Sequence, residues 1–222
     1  MKQSSLNDSH AESRAEILAD CIANVCLNEA PDLRSLASLR DEPFSSRGAY
    51  DLLHHSNMPN PDVMLIWSTK LPTKVKFFAW LLCHGRLNTR DYLYRRSIRP
   101  LEESYCERCP TVTESDVHFF FNCPLAQGTW SALGFAPNPA IVRQPWLLCL
   151  SADLPDQVRV DVILLLLWHI WKARNAMIFD HIDSAPRDII RRVVQDIDAW
   201  SCRFNQLKPD LLVWKTWLQS CY

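Results

Sequence analysis

Four residues with metal-binding side chains lie close together in the middle of the chain: Cys106, Cys109, His118 and Cys123, here called the Cys–His cluster. A structural zinc site uses four such ligands in a tetrahedron. A Cys-x2-Cys pair forms a tight turn that directs both thiolates to one point. A short helix or turn can bring His118 and Cys123, five residues apart, to the same side. The pattern predicts one structural zinc ion with no coordination position left open for catalysis.

The alternative is four unrelated residues, because nine cysteines in 222 residues make one close pair unremarkable and free cysteine is commonly buried. The suitably spaced histidine and the third cysteine favour the metal site. The N-terminus is polar and shows no secretory signal, and an odd number of cysteines without such a signal suggests a reducing compartment. We therefore expect an intracellular protein of the nucleus or cytoplasm, not a secreted one.

Apolar residues recur at helical spacing along much of the chain and only four glycines occur, so the sequence predicts a mainly α fold. The expected architecture is a small helical domain stapled by zinc, followed by a helical connector and a C-terminal helical segment. Prolines and glycines mark the ends of its elements. The predicted helices span 12–29, 45–55, 61–67, 73–84, 90–98, 115–121, 124–134 and 156–179, and a last one runs from Pro186 to Trp200. Pro209 is expected to separate a short tryptophan-rich tail.

The pattern of elements predicts four regions. The first is an acidic, partly helical and partly disordered segment at 1–43, whose residues from 31 onward are expected to form a linker. A zinc-binding domain at 44–135, a linker at 136–154 and a helical region at 155–222 follow. The longest apolar run, Val162 to Ile170, is too short to span a bilayer, so we expect no membrane contact.

Charge is unevenly distributed along the chain, although the net charge is only −1. Nine basic and four acidic residues give 68–108 a net charge of +5, whereas 1–44 carries −4. A basic segment of this kind can contact RNA or DNA phosphates without reading sequence. The alternative is an ordinary solvated helix face. The candidate phosphate contacts are Lys74, Lys76, Arg86, Arg90, Arg95, Arg96, Arg99 and Arg108.

Several segments together resemble one family. They are Phe44 to Leu53, Ile66-Trp67, Leu71 to Trp80, Leu87 to Leu93, the Cys–His cluster with Phe119 to Phe121, Pro124 and Trp130, and finally Trp168 to Asn175 with Phe179. In this order they resemble the zinc-binding domain of reverse transcriptases in plant non-LTR retrotransposons, with the connector that precedes ribonuclease H there. The resemblance covers roughly Phe44 to Phe179 and implies zinc on the Cys–His cluster. One departure is Pro110 after Cys109, where related sequences often have glycine nearby; it affects the turn and removes no ligand.

The resemblance implies no chemistry in this chain, because the polymerase domain and the acidic ribonuclease H core are expected to lie outside it. No glycine-rich phosphate-binding loop occurs, and Asp180, Asp183 and Asp188 near His181 are expected to be helix-cap and loop residues. We therefore expect a non-catalytic, retrotransposon-derived zinc protein that assists nucleic-acid binding.

The alternative function is a protein-interaction or oligomerisation module, or a non-functional retroelement remnant, with no nucleic-acid role. Its basis is an excess of aromatic residues that could pack on a partner or on a second copy of the chain. The tryptophans concerned are Trp146, Trp168, Trp171, Trp200, Trp214 and Trp217.

Overall fold

The computed structural model describes residues 35–36, 39–43, 45–54, 61–136, 138–148 and 153–222, together with Ala19 and Ala23. These residues fall in two compact units, 1–58 and 59–222. The predicted disordered segment 1–11 and the predicted helix 12–29 lie outside the described residues, apart from Ala19 and Ala23, which are helical.

The first unit contains a hairpin and a helix. Strands β1 (Ser35–Leu36) and β2 (Leu39–Pro43) pair antiparallel, so the prediction of a plain linker at 31–45 is wrong for these residues. Helix α1 (Ser46–His54) follows, as the sequence predicts. Ser45 caps it, because its Oγ accepts a hydrogen bond from the backbone N–H of Gly48 at 2.9 Å.

The second unit is mainly helical, which confirms the predicted fold class. Its helices are α2 (Pro61–Ser68), α3 (Thr73–Cys83), α4 (Arg90–Arg95), α5 (Pro124–Ala132), α6 (Arg159–Asp180), α7 (Pro186–Trp200) and α8 (Lys208–Ser220). A second hairpin, β3 (Tyr105–Cys106) with β4 (Cys109–Thr113), and a π-helical turn (His118–Asn122) lie between α4 and α5. Helix α6 packs against α3 and α7, and α7 packs against α5 and α8.

Helix α4 ends three residues before the predicted end at Ile98. Ser97 adopts a left-handed φ of 55°, its N–H bonds the Tyr94 carbonyl, and the N–H of Ile98 bonds the Leu93 carbonyl at 3.0 Å. This pattern is a Schellman termination, which usually has glycine at the left-handed position. The prediction that α4 extends to Ile98 is wrong because Ser97 takes this position, so no glycine in the sequence marks the end of the helix.

Helix α6 forms the centre of the core. The apolar run Val162 to Leu167 is buried on all sides, as expected for an element covered by other helices. By length and composition alone, Asp156–Asp180 is long enough to cross a membrane. In the structure, its apolar surface is covered by α3 and α7, which is the environment of a core helix.

Two buried polar side chains on α6 fix its position. Asp161 accepts a hydrogen bond from the backbone N–H of Lys70 at 2.7 Å, and burial raises the pKa of Asp161 to about 6. His169 donates from Nε2 to the Asp196 carboxylate at 2.8 Å, and burial lowers the pKa of His169. Helix α6 is thereby tied to the connection between α2 and α3 and to α7.

The C-terminal tryptophans are part of the core rather than an exposed surface. Trp146 and Trp214 are buried, and the other four are partly buried against the same core. The Nε1 of Trp214 donates to the Pro155 carbonyl at 2.8 Å. The segment after Pro209 is helix α8, so the prediction of a separate tail is wrong: proline is tolerated in the first turn of a helix. The predicted domain boundaries remain predictions.

Candidate metal centre

The β3–β4 hairpin brings the first two cysteines of the cluster together. Cys106 and Cys109 are paired residues of the hairpin, closed by the turn at Glu107 and Arg108. Among the described residues, positive φ values occur only at Ser97, His181, Asn205 and two glycines outside this turn. The turn therefore needs no left-handed residue, and Pro110 is accommodated in β4.

A π-helical turn positions the other two members of the cluster. The backbone N–H of Cys123 donates to the carbonyl of His118 at 2.7 Å, the five-residue closure that defines a π turn. The N–H of His118 is held in turn by Ser115 Oγ at 3.1 Å. Cys123 is also the N-cap of α5, where the positive end of the helix dipole favours a thiolate.

The four side chains of the Cys–His cluster converge on one point. One ligand atom from each residue lies within 4.8 Å of the others. Zinc–sulfur bonds of about 2.3 Å set the ligand atoms of a tetrahedral site about 3.8 Å apart, so the cluster needs little contraction to close on an ion. Three members are buried and Cys109 is half-buried. The structure thus brings together all four residues predicted to bind metal.

The imidazole of His118 supplies an independent indication of a cation. Its Nε2 is buried and has no hydrogen-bond partner. A buried polar nitrogen without a partner costs about 1–3 kcal/mol, whereas a metal ligand of the same geometry carries no such penalty. The donor set and this nitrogen both fit Zn²⁺.

The three thiols need a neighbouring positive charge to ionise together. A hydrogen bond with Cys123 is the main cause that lowers the pKa of Cys106 to about 4. The same hydrogen bond raises the pKa of Cys123, and burial followed by the charge of Cys106 raises that of Cys109. One thiolate therefore suppresses the others, as like charges do at a shared site. A divalent cation removes this repulsion, and its ligating thiols are deprotonated.

The three phenylalanines of the π-helical turn are core residues. Phe119, Phe120 and Phe121 are all buried. Phe120 lies edge-on to Phe78 of α3, with ring centroids 6.1 Å apart, and its carbonyl accepts a hydrogen bond from Nε1 of Trp130 at 2.8 Å. The Cys–His cluster is therefore built into the main core through this turn.

A buried ion pair connects the hairpin to α6. Arg174, on α6, donates from Nε at 3.1 Å and 3.2 Å and from NH2 at 2.5 Å to the Glu114 carboxylate. Exposure of the two side chains is only 9% and 1%. Glu114 also accepts the backbone N–H of Arg90 at 3.0 Å, so it holds the start of α4 as well. Glu114 was not identified from the sequence. The available signal was Arg174 in an otherwise apolar helix, because a buried arginine needs an acidic partner.

Most of the basic residues predicted to contact phosphate have partners within the chain. Arg90, Arg95, Arg99 and Arg108 form ion pairs with Glu107, Asp91, Glu103 and Asp183, respectively. Lys76 donates to the Trp67 carbonyl at 2.9 Å. The remaining three cations lie over aromatic rings at 5.6–5.9 Å: Lys74 over Trp200, Arg86 over Trp80 and Arg96 over Tyr92.

The acidic residues around His181 lie at helix ends. His181 itself has a left-handed φ of 56° at the C-terminus of α6, and Asp188 accepts the backbone N–H of Ala185 at 3.0 Å, which caps α7. Asp183 pairs with Arg108. These are the cap and loop roles that the sequence predicts.

The comparisons with known proteins bear on the same segment. Residues 44–130, which contain the whole Cys–His cluster, match the family described as zinc-binding in reverse transcriptase. Residues 44–130 are a reverse-transcriptase zinc-binding domain. A protein of Arabidopsis thaliana, named as a ribonuclease H protein, is 29% identical to this chain over 128 residues. That alignment covers 56% of this chain and 19% of the relative, so the chain spans about a fifth of that protein's length. No solved structure matches this chain significantly.

Proposed function

We propose that the Cys–His cluster binds one Zn²⁺ ion whose role is structural. The observation that carries this proposal is the convergence of four ligand atoms within 4.8 Å in a segment of the zinc-binding family. With four protein ligands, the ion has no open position for a substrate or an activated water. When bound, it supplies the charge that lets three thiolates coexist, and the chain supplies the cage.

The proposed role follows from what the ligands connect. Cys106 and Cys109 belong to the hairpin, His118 to the π-helical turn and Cys123 to the start of α5. The ion therefore ties the hairpin, whose strand β4 is largely exposed, to the π-helical turn and to α5, which pack in the core. We propose a non-catalytic, zinc-stabilised module of a retrotransposon-derived reverse transcriptase, which acts inside the cell.

Metal analysis of the purified chain tests the ligand set. We expect about one equivalent of zinc in the wild type and loss of most of it in Cys109→Ser and His118→Ala. Cys202→Ser is the matched control, because Cys202 is exposed and lies outside the cluster, and it should keep the metal. Substitution with Co²⁺ gives a second readout, the absorption of a tetrahedral thiolate site. Zinc retained by both ligand variants would refute the assignment.

The second candidate function is contact with RNA or DNA, as part of the same module. Lys74, Arg86 and Arg96 favour it, because no ion pair with a carboxylate is found for them in the described part of the chain. A cation over an aromatic ring keeps its full charge. These three residues of the predicted eight are therefore the first phosphate contacts to test.

A salt series on the triple variant Lys74→Gln, Arg86→Gln, Arg96→Gln tests this contact. Binding of single-stranded RNA should weaken, and the slope of log K against log salt should fall by about 2, because each phosphate contact on a single strand contributes about 0.7. The control is the triple variant Arg187→Gln, Arg191→Gln, Lys208→Gln. It removes the same number of positive charges as the test variant, but from α7 and α8. No binding by the wild type at low salt, or equal slopes for both variants, would remove this function.

The interaction-module alternative loses its original basis, because the six tryptophans pack in the core. The exposed apolar residues of α8, Leu212 and Val213, are what a second copy of the chain could contact. Light scattering decides this alternative: a dimer that Leu212→Asp dissociates would favour it over the nucleic-acid contact.

A further inference from the structure

A groove of about 310 Å³ lies between α4 and α6, here called the α4–α6 groove. Its polar lining consists of Asn88, Arg90, Arg99, Arg174 and Asn175, and its apolar lining includes Phe179 at one end of α6. Three guanidinium groups line it, and each is paired with a carboxylate: Arg90 with Glu107, Arg99 with Glu103 and Arg174 with Glu114. The groove is therefore suited to an anion that can displace one of these carboxylates and that also carries an apolar or aromatic part.

Two sequence segments that the zinc site does not use meet in this groove. Asn88 precedes α4 and Arg90 begins it, whereas Arg174, Asn175 and Phe179 come from α6. The Glu114–Arg174 ion pair holds the two segments together, because Glu114 also binds the backbone N–H of Arg90. The groove is thus a preorganised site, whose walls do not have to be assembled on binding.

Arg99 and Arg174 differ in how readily they can turn to a ligand. Arg99 pairs with Glu103 four residues on, and the two side chains are 51% and 50% exposed. Exposed pairs of this spacing contribute little to stability, so a phosphate can replace Glu103 at small cost. Arg174 is fixed by Glu114, and its NH1 also donates to Asn175 at 2.9 Å. Arg99 is therefore the mobile phosphate contact, and Arg174, whose charge Glu114 compensates, is a fixed part of the groove wall.

Phe179 is the most conspicuous apolar group of the groove, because 69% of its surface is exposed. A large aromatic ring exposed to this degree beside guanidinium groups is available to stack on a ligand. Nucleobases stack on aromatic side chains whatever their sequence, and their phosphates need cations nearby. Exposed aromatic and cationic side chains along one groove therefore match one nucleotide of a single strand.

We propose that the α4–α6 groove binds single-stranded nucleic acid, with a base stacked on Phe179 and the adjoining phosphate held by Arg99. This proposal rests on the nucleic-acid contact proposed above and adds a site to it. The side-chain amides of Asn88 and Asn175 are placed to hydrogen-bond base edges or ribose.

The test is the affinity of the full chain, loaded with zinc, for a fluorescent 12-nucleotide uridine strand across a salt series. Phe179→Ala should weaken binding about tenfold without changing the salt slope, since base stacking carries no counterion release. Arg99→Gln should weaken binding and lower the slope by roughly 0.7. Ile182→Ala and Arg191→Gln are the matched controls, since both are exposed and lie outside the groove, and both should bind as the wild type does.

The outcomes separate this site from the broader function. No binding by the wild type at low salt overturns both proposals. Binding that Phe179→Ala and Arg99→Gln leave at the wild-type level overturns the groove alone, and the contact through Lys74, Arg86 and Arg96 then stands. Equal affinity for an oligoglutamate peptide or for duplex RNA of the same length also overturns the groove, because neither offers an unpaired base.

Discussion

Removal of zinc with excess chelator is expected to unfold the region around the Cys–His cluster and to lower the thermal transition of the chain. Structural zinc contributes an apparent binding free energy of about 10–16 kcal/mol in small metal domains, whereas a whole domain is stable by about 5–15 kcal/mol. Three buried or half-buried thiols and the unpaired Nε2 of His118 would then face one another without a cation.

The loss of structure on zinc removal should spread beyond the Cys–His cluster. His118 begins the turn whose phenylalanines pack in the core, and Phe120 contacts Phe78 of α3. Near-UV circular dichroism and a thermal scan under reducing conditions measure this effect. Zn²⁺ should restore the signal and Mg²⁺ should not, because Mg²⁺ prefers oxygen ligands. Equal transition temperatures with and without chelator would contradict a structural role for the ion.

The sequence predicts those features that depend on local pattern. The spacing of the Cys–His cluster predicts four residues that the structure places within 4.8 Å. Helix α3 follows from its apolar face and from Gly85, which takes a φ of 62° just after the helix. The end of α4 does not follow, because Ser97 takes the left-handed position that pattern reasoning assigns to glycine.

Features that depend on distant partners are beyond such reasoning. Glu114 and Arg174 are 60 residues apart, and nothing local to either residue identifies the other. The same holds for Arg108, which pairs with Asp183 across 75 residues, so the segment charge of +5 overstates what a phosphate would meet. Counting charges along a segment ignores carboxylates that folding brings in from elsewhere.

Replacement of Arg174 by methionine is expected to destabilise the chain by about 3–5 kcal/mol, the usual cost of removing one partner of a buried ion pair. Glu114 is 1% exposed and would keep only the N–H of Arg90 as a strong hydrogen-bond donor to its side chain. The loss is a large fraction of the about 5–15 kcal/mol by which a domain is stable. Urea unfolding at pH 7, followed by far-UV circular dichroism, measures it.

Two further variants separate the buried charge from the lost packing. In the double variant Glu114→Gln, Arg174→Met, the uncompensated carboxylate is gone, so its loss of stability should be smaller than that of Arg174→Met alone. Arg191→Met is the matched surface control. The side chain of Arg191, which pairs with Asp188, is 59% exposed, and exposed pairs contribute about 1 kcal/mol or less to stability. If Arg174→Met costs no more stability than Arg191→Met, the Glu114–Arg174 pair does not hold α6 to the zinc-binding hairpin.

Because this pair also fixes one wall of the α4–α6 groove, Arg174→Met should weaken single-strand binding at temperatures where the chain is still folded. The less destabilised double variant should weaken it too, since it lacks the same guanidinium.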